Sequence, residues 1–203
     1  MTLEIKISKK LIPYKSAFKF LKKRVNSLKK QKGKDLLWIL EHPLTYTGGI
    51  RSKKNEILDK KIKIIETNRG GKITLHNPGQ KIIYFVLNLN NKKKDIRNLV
   101  KQIEVSIVEF LKLYGIKSYT DKKNIGVWVK GKKIAAIGIR VSQWIAYHGC
   151  SININNNLDH YKKIIPCGLD NNKITSIENE SKRKITNINK NLKNIFIENL
   201  KNI

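Results

Sequence analysis

NIGVWVKGKKIAAIGIRV, residues 124–141, is followed after one residue by QWIAYHGCSINI, residues 143–154. The first segment is rich in β-branched residues and is broken only at Lys130, Gly131 and Lys132. That pattern predicts a hairpin turning at those three residues. The second segment has the same composition and predicts a further strand. Three consecutive strands joined by short turns run antiparallel, so the centre of this chain reads as antiparallel sheet.

On the N-terminal side the period changes. Pro13 precedes apolar Tyr14, Phe18, Leu21, Val25 and Leu28, spaced by fours and threes. This predicts a helix opened by its proline. DLLWILEH (35–42) reads as a buried strand, and shorter strand-like runs recur at 62–67, 72–75 and 81–89. A second helix is expected from about Asp95 to Tyr114, with Ile96, Leu99, Ile103, Ile107, Phe110 and Tyr114 on one face and Gly115 at its end. The weakly apolar tail, 185–202, predicts a last helix. Helices interleaved with many strands imply an α/β (α+β) domain, 1–203, built on a mixed, largely antiparallel sheet flanked by helices.

Two stretches do not fit regular structure. RGGKITLHNPGQ (69–80) has three glycines, a proline, a histidine and an arginine, yet abuts the run KIIYFVLNL. EHPLTYTGG (41–49) has the same character. The glycine stretch is neither GxGxxG nor GxxxxGK[ST], so neither nucleotide fingerprint is present. It reads either as a bulged turn before a strand or as backbone brought close to a ligand.

The chain has 203 residues, enough to bury its own core. No run of about 18 apolar residues marks a membrane span, and the opening MTLEIKISKK lacks the apolar core of a signal peptide. A cytoplasmic protein with reduced thiols is expected. The formal net charge is +28, from 43 basic and 15 acidic residues. Only six of the basic residues are arginine: 24, 51, 69, 97, 140 and 183. The lysines are spread along the chain beside many Asn and Ile, all types with A/T-rich codons, so genome bias and an acidic partner both account for them. Dedicated nucleic-acid readers lean on arginine, and no interleaved aromatic platform or DNA-reading helix is evident. The sequence therefore points away from nucleic acid.

Cys150 sits inside a strand-like run and reads as a small buried hydrophobe. Cys167, in IIPCGLD between proline and glycine, reads as a thiol on an exposed turn, either an ordinary loop cysteine or a nucleophile. A free thiol has a pKa of about 8.5, so a nucleophilic cysteine needs a positive neighbour. Four histidines (42, 76, 148, 160) accompany the cysteines, but no CxxC or HxxxH spacing suggests zinc.

The ordered set EHPLTYTGG, RGGKITLHNPGQ, GVWVKGKKIAAIGIRVSQWIAYHGCSINI and IIPCGLDNNKITSI resembles the octanoyltransferases of lipoate biosynthesis, the lipoyl(octanoyl) transferases, over nearly the whole chain. The resemblance implies the catalytic-domain fold shared with lipoate- and biotin-protein ligases. It implies a substrate pocket at Arg69, Gly70, Gly71, Lys72, Ile73, Thr74, Leu75 and His76, with Ala136, Ile137 and Gly138, and with Gly149, Cys150 and Ser151. It assigns Cys167 as the nucleophile that carries the acyl group and Lys133 as the lysine that lowers the thiol's pKa. Asn77 stands where the family usually has glycine, and Cys150 where it usually has a bulky apolar residue.

The same resemblance implies octanoyl-acyl carrier protein as donor. The implied acceptors are lysines of the lipoyl domains of 2-oxoacid dehydrogenase E2 subunits and of the glycine cleavage H protein. No cofactor and no metal are implied, because a thioester is already activated. An ATP-dependent lipoate or biotin ligase of the same fold is the alternative. Such an enzyme proceeds through an acyl-adenylate and needs no Pro166-Cys167-Gly168 nucleophile. A basic nucleic-acid-binding protein is the remaining, non-catalytic alternative.

Overall fold

The computed structural model describes residues 3–166 and 173–203. Its strands are β1 (Leu3–Ile7), β2 (Asp35–Leu40), β3 (Thr45–Gly48), β4 (Ile64–Glu66), β5 (Ile73–His76), β6 (Gln80–Asn88), β7 (Tyr119–Thr120), β8 (Val127–Val129), β9 (Lys132–Ser142) and β10 (Ile145–Asn153). Its α-helices are α1 (Tyr14–Lys29), α2 (Ile96–Lys112), α3 (Ile177–Glu180) and α4 (Ile188–Asn199).

Seven strands form one sheet in the order β1-β2-β6-β10-β9-β8-β7. Only β1 and β2 pair in parallel; the other pairs are antiparallel. A second sheet, β4-β3-β5, joins one parallel and one antiparallel pair. The sheet is therefore mixed and largely antiparallel, as the sequence predicts.

Alternation along β2 shows how the large sheet is covered. Leu36, Trp38 and Leu40 join Tyr14, Ala17, Leu21, Val25 and Leu28 of α1 on one face. Leu37 and Ile39 join Leu99, Ile103, Ile107 and Phe110 of α2, and Leu192 and Phe196 of α4, on the other. A strand buried on both faces reads as a continuous apolar run, which is why DLLWIL carries no polar alternation. Phe110 is fully buried, so truncating it to alanine costs about 3–5 kcal/mol.

The punctuation follows local chemistry. The Asp95 carboxylate accepts from the Asn98 amide at 2.9 Å and caps α2. Gly115, at φ 73°, ends that helix region. The β8–β9 turn puts its positive φ values on Lys130 (48°) and Gly131 (76°), so Lys132 already belongs to β9. EHPLTYTGG divides around His42-Pro43: β2 stops at Leu40 and β3 begins at Thr45 in the other sheet. Proline offers no amide to continue the ladder.

Candidate active site

Residues 69–76 reach the face of the large sheet because β5 is held by β3. Thr47 pairs with Thr74 and Gly48 with Ile73, and the Gly49, Ile50 and Arg51 amides donate to the carbonyls of Lys72, Arg69 and Gly71. The glycine loop then lies directly on β9. The Gly70 amide donates to the Ile139 carbonyl at 3.1 Å. A Cβ on Gly70 would stand 2.9 Å from the Ile139 oxygen, and one on Gly138 would stand 2.9 Å from the Gly70 oxygen. Two facing glycines thus permit a backbone-on-backbone approach that no side chain allows.

The space between loop and sheet is a cleft. Arg69, Gly70, Gly71, Lys72, Thr74 and His76 form one wall; Ile82 and Tyr84 of β6, Ala136, Ile137 and Gly138 of β9, and His148, Gly149, Cys150 and Ser151 of β10 form the rest. Ile73 and Leu75, on the alternate face of β5, instead enter a small core with Tyr46, Tyr161 and Ile164. Thr74, Ala136 and Ser151 also border a second, small cavity, lined besides by Lys133, Asn153, Tyr161, Pro166 and Ile174. Ile82, Tyr84 and His148 were not singled out from sequence; the period-two alternation of KIIYFV places Ile82 and Tyr84 on one face and is the signal for that pair.

Lys133 is the cation of the second compartment. It is 7% exposed, and its Nζ donates to the Ile125 carbonyl at 2.9 Å. The ammonium also lies 5.2 Å from the centre of the Trp128 ring. Gly126, at φ 139°, makes room for it, since a Cβ there would stand 2.5 Å from the lysine Cε. Beneath, the half-buried Glu104 of α2 accepts from the Gly126 amide at 3.4 Å. Burial raises that carboxyl's pKa, while the Gly126 hydrogen bond and the nearby Lys133 charge oppose the rise.

Cys167 lies outside the described residues. The described residues on either side of it are placed, however. Pro166 and Ile174 line the Lys133 compartment, Ile174 bridges Lys133, and the Thr175 amide donates to the Lys133 carbonyl at 3.0 Å. Cys150 is described: it is 4% exposed, and burial pushes its thiol pKa far above the ordinary value. It is therefore held as a neutral thiol, a poor nucleophile.

The floor beside the cleft is a buried polar and aromatic cluster. Arg69 donates to the Thr47 carbonyl at 2.8 Å and to the Thr47 hydroxyl at 2.9 Å. His76 Nδ1 is 2.8 Å from Gln80 Oε1, and the Gln80 amide reaches Asn153 and Tyr161. His42 bridges the Ile12 carbonyl and the Tyr84 hydroxyl. Tyr14 stacks on His76 with ring centres 5.8 Å apart, and Phe18 stacks on His148 at 5.4 Å. Burial is the first cause that lowers all three histidines. His42 falls to about 4, and His148 falls to about 3, helped by Arg69 and Arg140. His76 lies well below the usual value, with His42 and Arg69 adding to burial. All three are neutral at pH 7. Among the described residues, no group of three His, Cys, Asp or Glu is placed to hold a metal ion. His160 is elsewhere, in a turn of 3-10 helix at 159–163, where its carbonyl accepts from Tyr46.

Comparison with known proteins agrees with this architecture. Residues 13–202 match the family of the lipoyl protein ligase A/B catalytic domain. Two solved structures share the fold. Lipoate-protein ligase A bound with ATP superposes with a TM-score of 0.77 at 13% identity, covering 98% of this chain and 86% of that one. The bipartite lipoate protein ligase of Thermoplasma acidophilum gives 0.75 at 15% identity, covering 99% and 84%. Much nearer in sequence are octanoyltransferases. That of Wolbachia sp. subsp. Brugia malayi is 42% identical over 177 residues, covering 85% of this chain and 86% of the relative. That of Ehrlichia chaffeensis is 44% identical over 181 residues, covering 86% and 85%. The chain belongs to the octanoyltransferases, within the lipoyl protein ligase A/B catalytic-domain family. It is an acyltransferase that moves octanoyl groups. Among the described residues no helix is long and apolar enough to cross a membrane.

Proposed function

We propose that the enzyme takes octanoyl from an octanoyl-acyl carrier protein thioester onto Cys167 and passes it to a lysine amine of a lipoyl domain. The observation that carries this reading is the placement of Lys133. A nearly buried ammonium is fixed by the Ile125 carbonyl and the Trp128 ring. It stands in a small cavity lined by Pro166 and Ile174, on either side of the Cys167 segment, and this cavity shares Thr74, Ala136 and Ser151 with the cleft over β9 and β10.

In the first step the Cys167 thiolate attacks the donor carbonyl. Its C–S bond forms, the donor's C–S bond breaks, and the carrier leaves as a thiol after taking up a proton. One thioester replaces another, so the step is close to balanced. In the second step the acceptor amine attacks the enzyme thioester, the C–S bond to Cys167 breaks, and an amide forms. The proton lost by the attacking nitrogen passes to the thiolate side through Lys133, which first stabilises the thiolate as a cation. The Gly70 amide is committed to Ile139, so the oxyanion is assigned to another amide of the glycine loop or to one beside Cys167.

Acyl carrier proteins are acidic, and a chain of net charge +28 attracts them at long range. A lipoyl-domain acceptor is supported by the family, and the fold neighbour in Thermoplasma acidophilum is a lipoate protein ligase described with its E2 lipoyl domain. On this reading the reaction is cytoplasmic. A transfer assay tests the reading against the ATP-dependent alternative. Octanoyl-carrier protein without ATP should modify a lipoyl domain, whereas octanoate with ATP should not. Modification only in the ATP arm would make the enzyme a ligase.

A further inference from the structure

The Lys133 ammonium is held by one end of a peptide unit whose other end is held by a carboxylate. The Ile125 carbonyl accepts from Lys133 Nζ at 2.9 Å. The Gly126 amide, the other half of the same peptide, donates to Glu104 Oε1 at 3.4 Å. The peptide is trans, so its C=O and N–H point in opposite directions from one rigid plane. Glu104 and Lys133 therefore sit on opposite sides of that plane, and a tilt of the peptide disturbs both bonds together.

Each part of this link has a fixed support. Glu104 lies on α2 next to Ile103 and one turn from Ile107, and both are buried in the core that also takes Val127 of β8. The helix is thus anchored against the strand that begins directly after Gly126. A half-buried carboxylate is costly unless its oxygens are used, and the partner of Glu104 among the described residues is a backbone amide, not a side chain. The turn at 124–126 also carries the rest of the lysine's seat. The Asn124 carbonyl accepts from Trp128 Nε1 at 3.0 Å, and the Trp128 ring centre lies 5.2 Å from the ammonium. Gly126 has no side chain to anchor it, so the bond to Glu104 ties this peptide to the helix beneath. Without that acceptor a buried amide loses its partner, and the turn is the element that must shift to find another.

We infer that Glu104 orients the Ile125–Gly126 peptide and, through it, aims the Lys133 ammonium, which makes Glu104 a positioning residue in the proposed transfer. An activating group beside a nucleophile needs a third group to orient it; here that third group acts through backbone rather than by direct contact. The inference rests on Lys133 being the lysine of the proposed reaction, and the experiment separates the two. Glu104→Gln keeps an oxygen for the Gly126 amide, whereas Glu104→Leu keeps bulk without an acceptor. Trace acetylation of the full chain with acetic anhydride at one pH, mapped by peptide mass spectrometry, reads how freely Lys133 Nζ leaves its seat. The exposed neighbour Lys132 is the internal standard. Glu104→Leu should raise Lys133 labelling about fivefold or more over wild type, and Glu104→Gln should hold it within about twofold. With octanoyl-carrier protein as donor, kcat should fall about tenfold or more in Glu104→Leu at nearly constant KM, and Glu104→Gln should recover most of it. If Glu104→Leu does not fold, Glu104→Ala, which suits a helix, gives the same comparison. Unchanged Lys133 labelling in folded Glu104→Leu or Glu104→Ala, or equal labelling in Glu104→Gln and Glu104→Leu, would overturn the inference. Raised labelling with kcat unchanged would leave the seat standing and would count against Lys133 as the lysine of the reaction.

Discussion

The Nζ of Lys133 donates to the carbonyl oxygen of Ile125 at 2.9 Å, although the lysine is the second residue of β9 and the isoleucine precedes β8. The shift of register between Val127 and Trp128 brings them together. A lysine with 36 others around it is thereby turned from a solvated surface charge into a fixed cation. If it faces the Cys167 sulfur, Lys133→Ala raises the pH needed to alkylate that thiol. Lys133→Arg keeps much of the thiolate but slows aminolysis, because a guanidinium is a poor proton carrier. Each pKa unit is worth about 1.4 kcal/mol. Iodoacetamide rate against pH, in a Cys150→Ser background, reads this directly; coincident curves for the parent and Lys133→Ala would reduce Lys133 to a structural charge.

Gly126 determines where that ammonium goes. Its φ of 139° is strained for any other residue, and an added Cβ meets the lysine chain. Gly126→Ala is expected to cost about 1–3 kcal/mol of stability and to lower the acyl-transfer rate about tenfold or more. A folded Gly126→Ala enzyme with an unchanged rate would show that the lysine needs no such seat.

The facing pair Gly70 and Gly138 makes a separate prediction. Gly138→Val pushes the glycine loop off β9, since the new Cβ would stand 2.9 Å from the Gly70 carbonyl oxygen. Donor kcat/KM should fall at least tenfold while the fold, held by the strand ladders on either side, persists. Gly71→Val should behave alike, because Gly71 has a φ of 92°. Circular dichroism together with the rate of donor use checks both.

Acid should destabilise the protein through its buried histidines. A histidine whose pKa is depressed in the folded state contributes stability that is fully present above the unfolded value of about 6.5 and is lost as pH falls toward the folded value. For His42, which falls to about 4, the whole shift is worth on the order of 3 kcal/mol. About 2 kcal/mol of that is gone by pH 5, or roughly 4–8 °C in Tm. His148, lowered to about 3, adds in the same direction. Thermal unfolding at pH 7 and pH 5 should show the drop, and His42→Gln should show a smaller one.

Much of the scaffold was legible because its period is regular. The apolar spacings of α1 and α2 and the hairpin at Lys130-Gly131 stand in the sequence and in the structure alike. The division of EHPLTYTGG was not legible: which sheet a four-residue strand joins is decided by pairing with residues about 30 positions away. β1 was missed for a related reason, because LEIKI gains its place only from the parallel ladder with β2. In the cleft, the glycine loop was visible from composition, and its departures from local propensity mark a functional segment. The left-handed backbone of His148 was not visible, since nothing in AYHGC signals a positive φ at a histidine. The seat of Lys133 likewise depends on a carbonyl eight residues away and on a register shift that no pattern announces.

The central claim is a covalent octanoyl group on Cys167, and intact-mass spectrometry after mixing the enzyme with octanoyl-acyl carrier protein tests it most directly. The account predicts a mass gain of one octanoyl group without ATP, mapped by peptide digestion to Cys167, sensitive to hydroxylamine as a thioester is, and discharged when a lipoyl domain is added. Cys167→Ser should show no gain, and Cys150→Ser should retain it. No adduct in the wild-type enzyme, an adduct on Cys150, or one that survives the lipoyl domain would contradict the account.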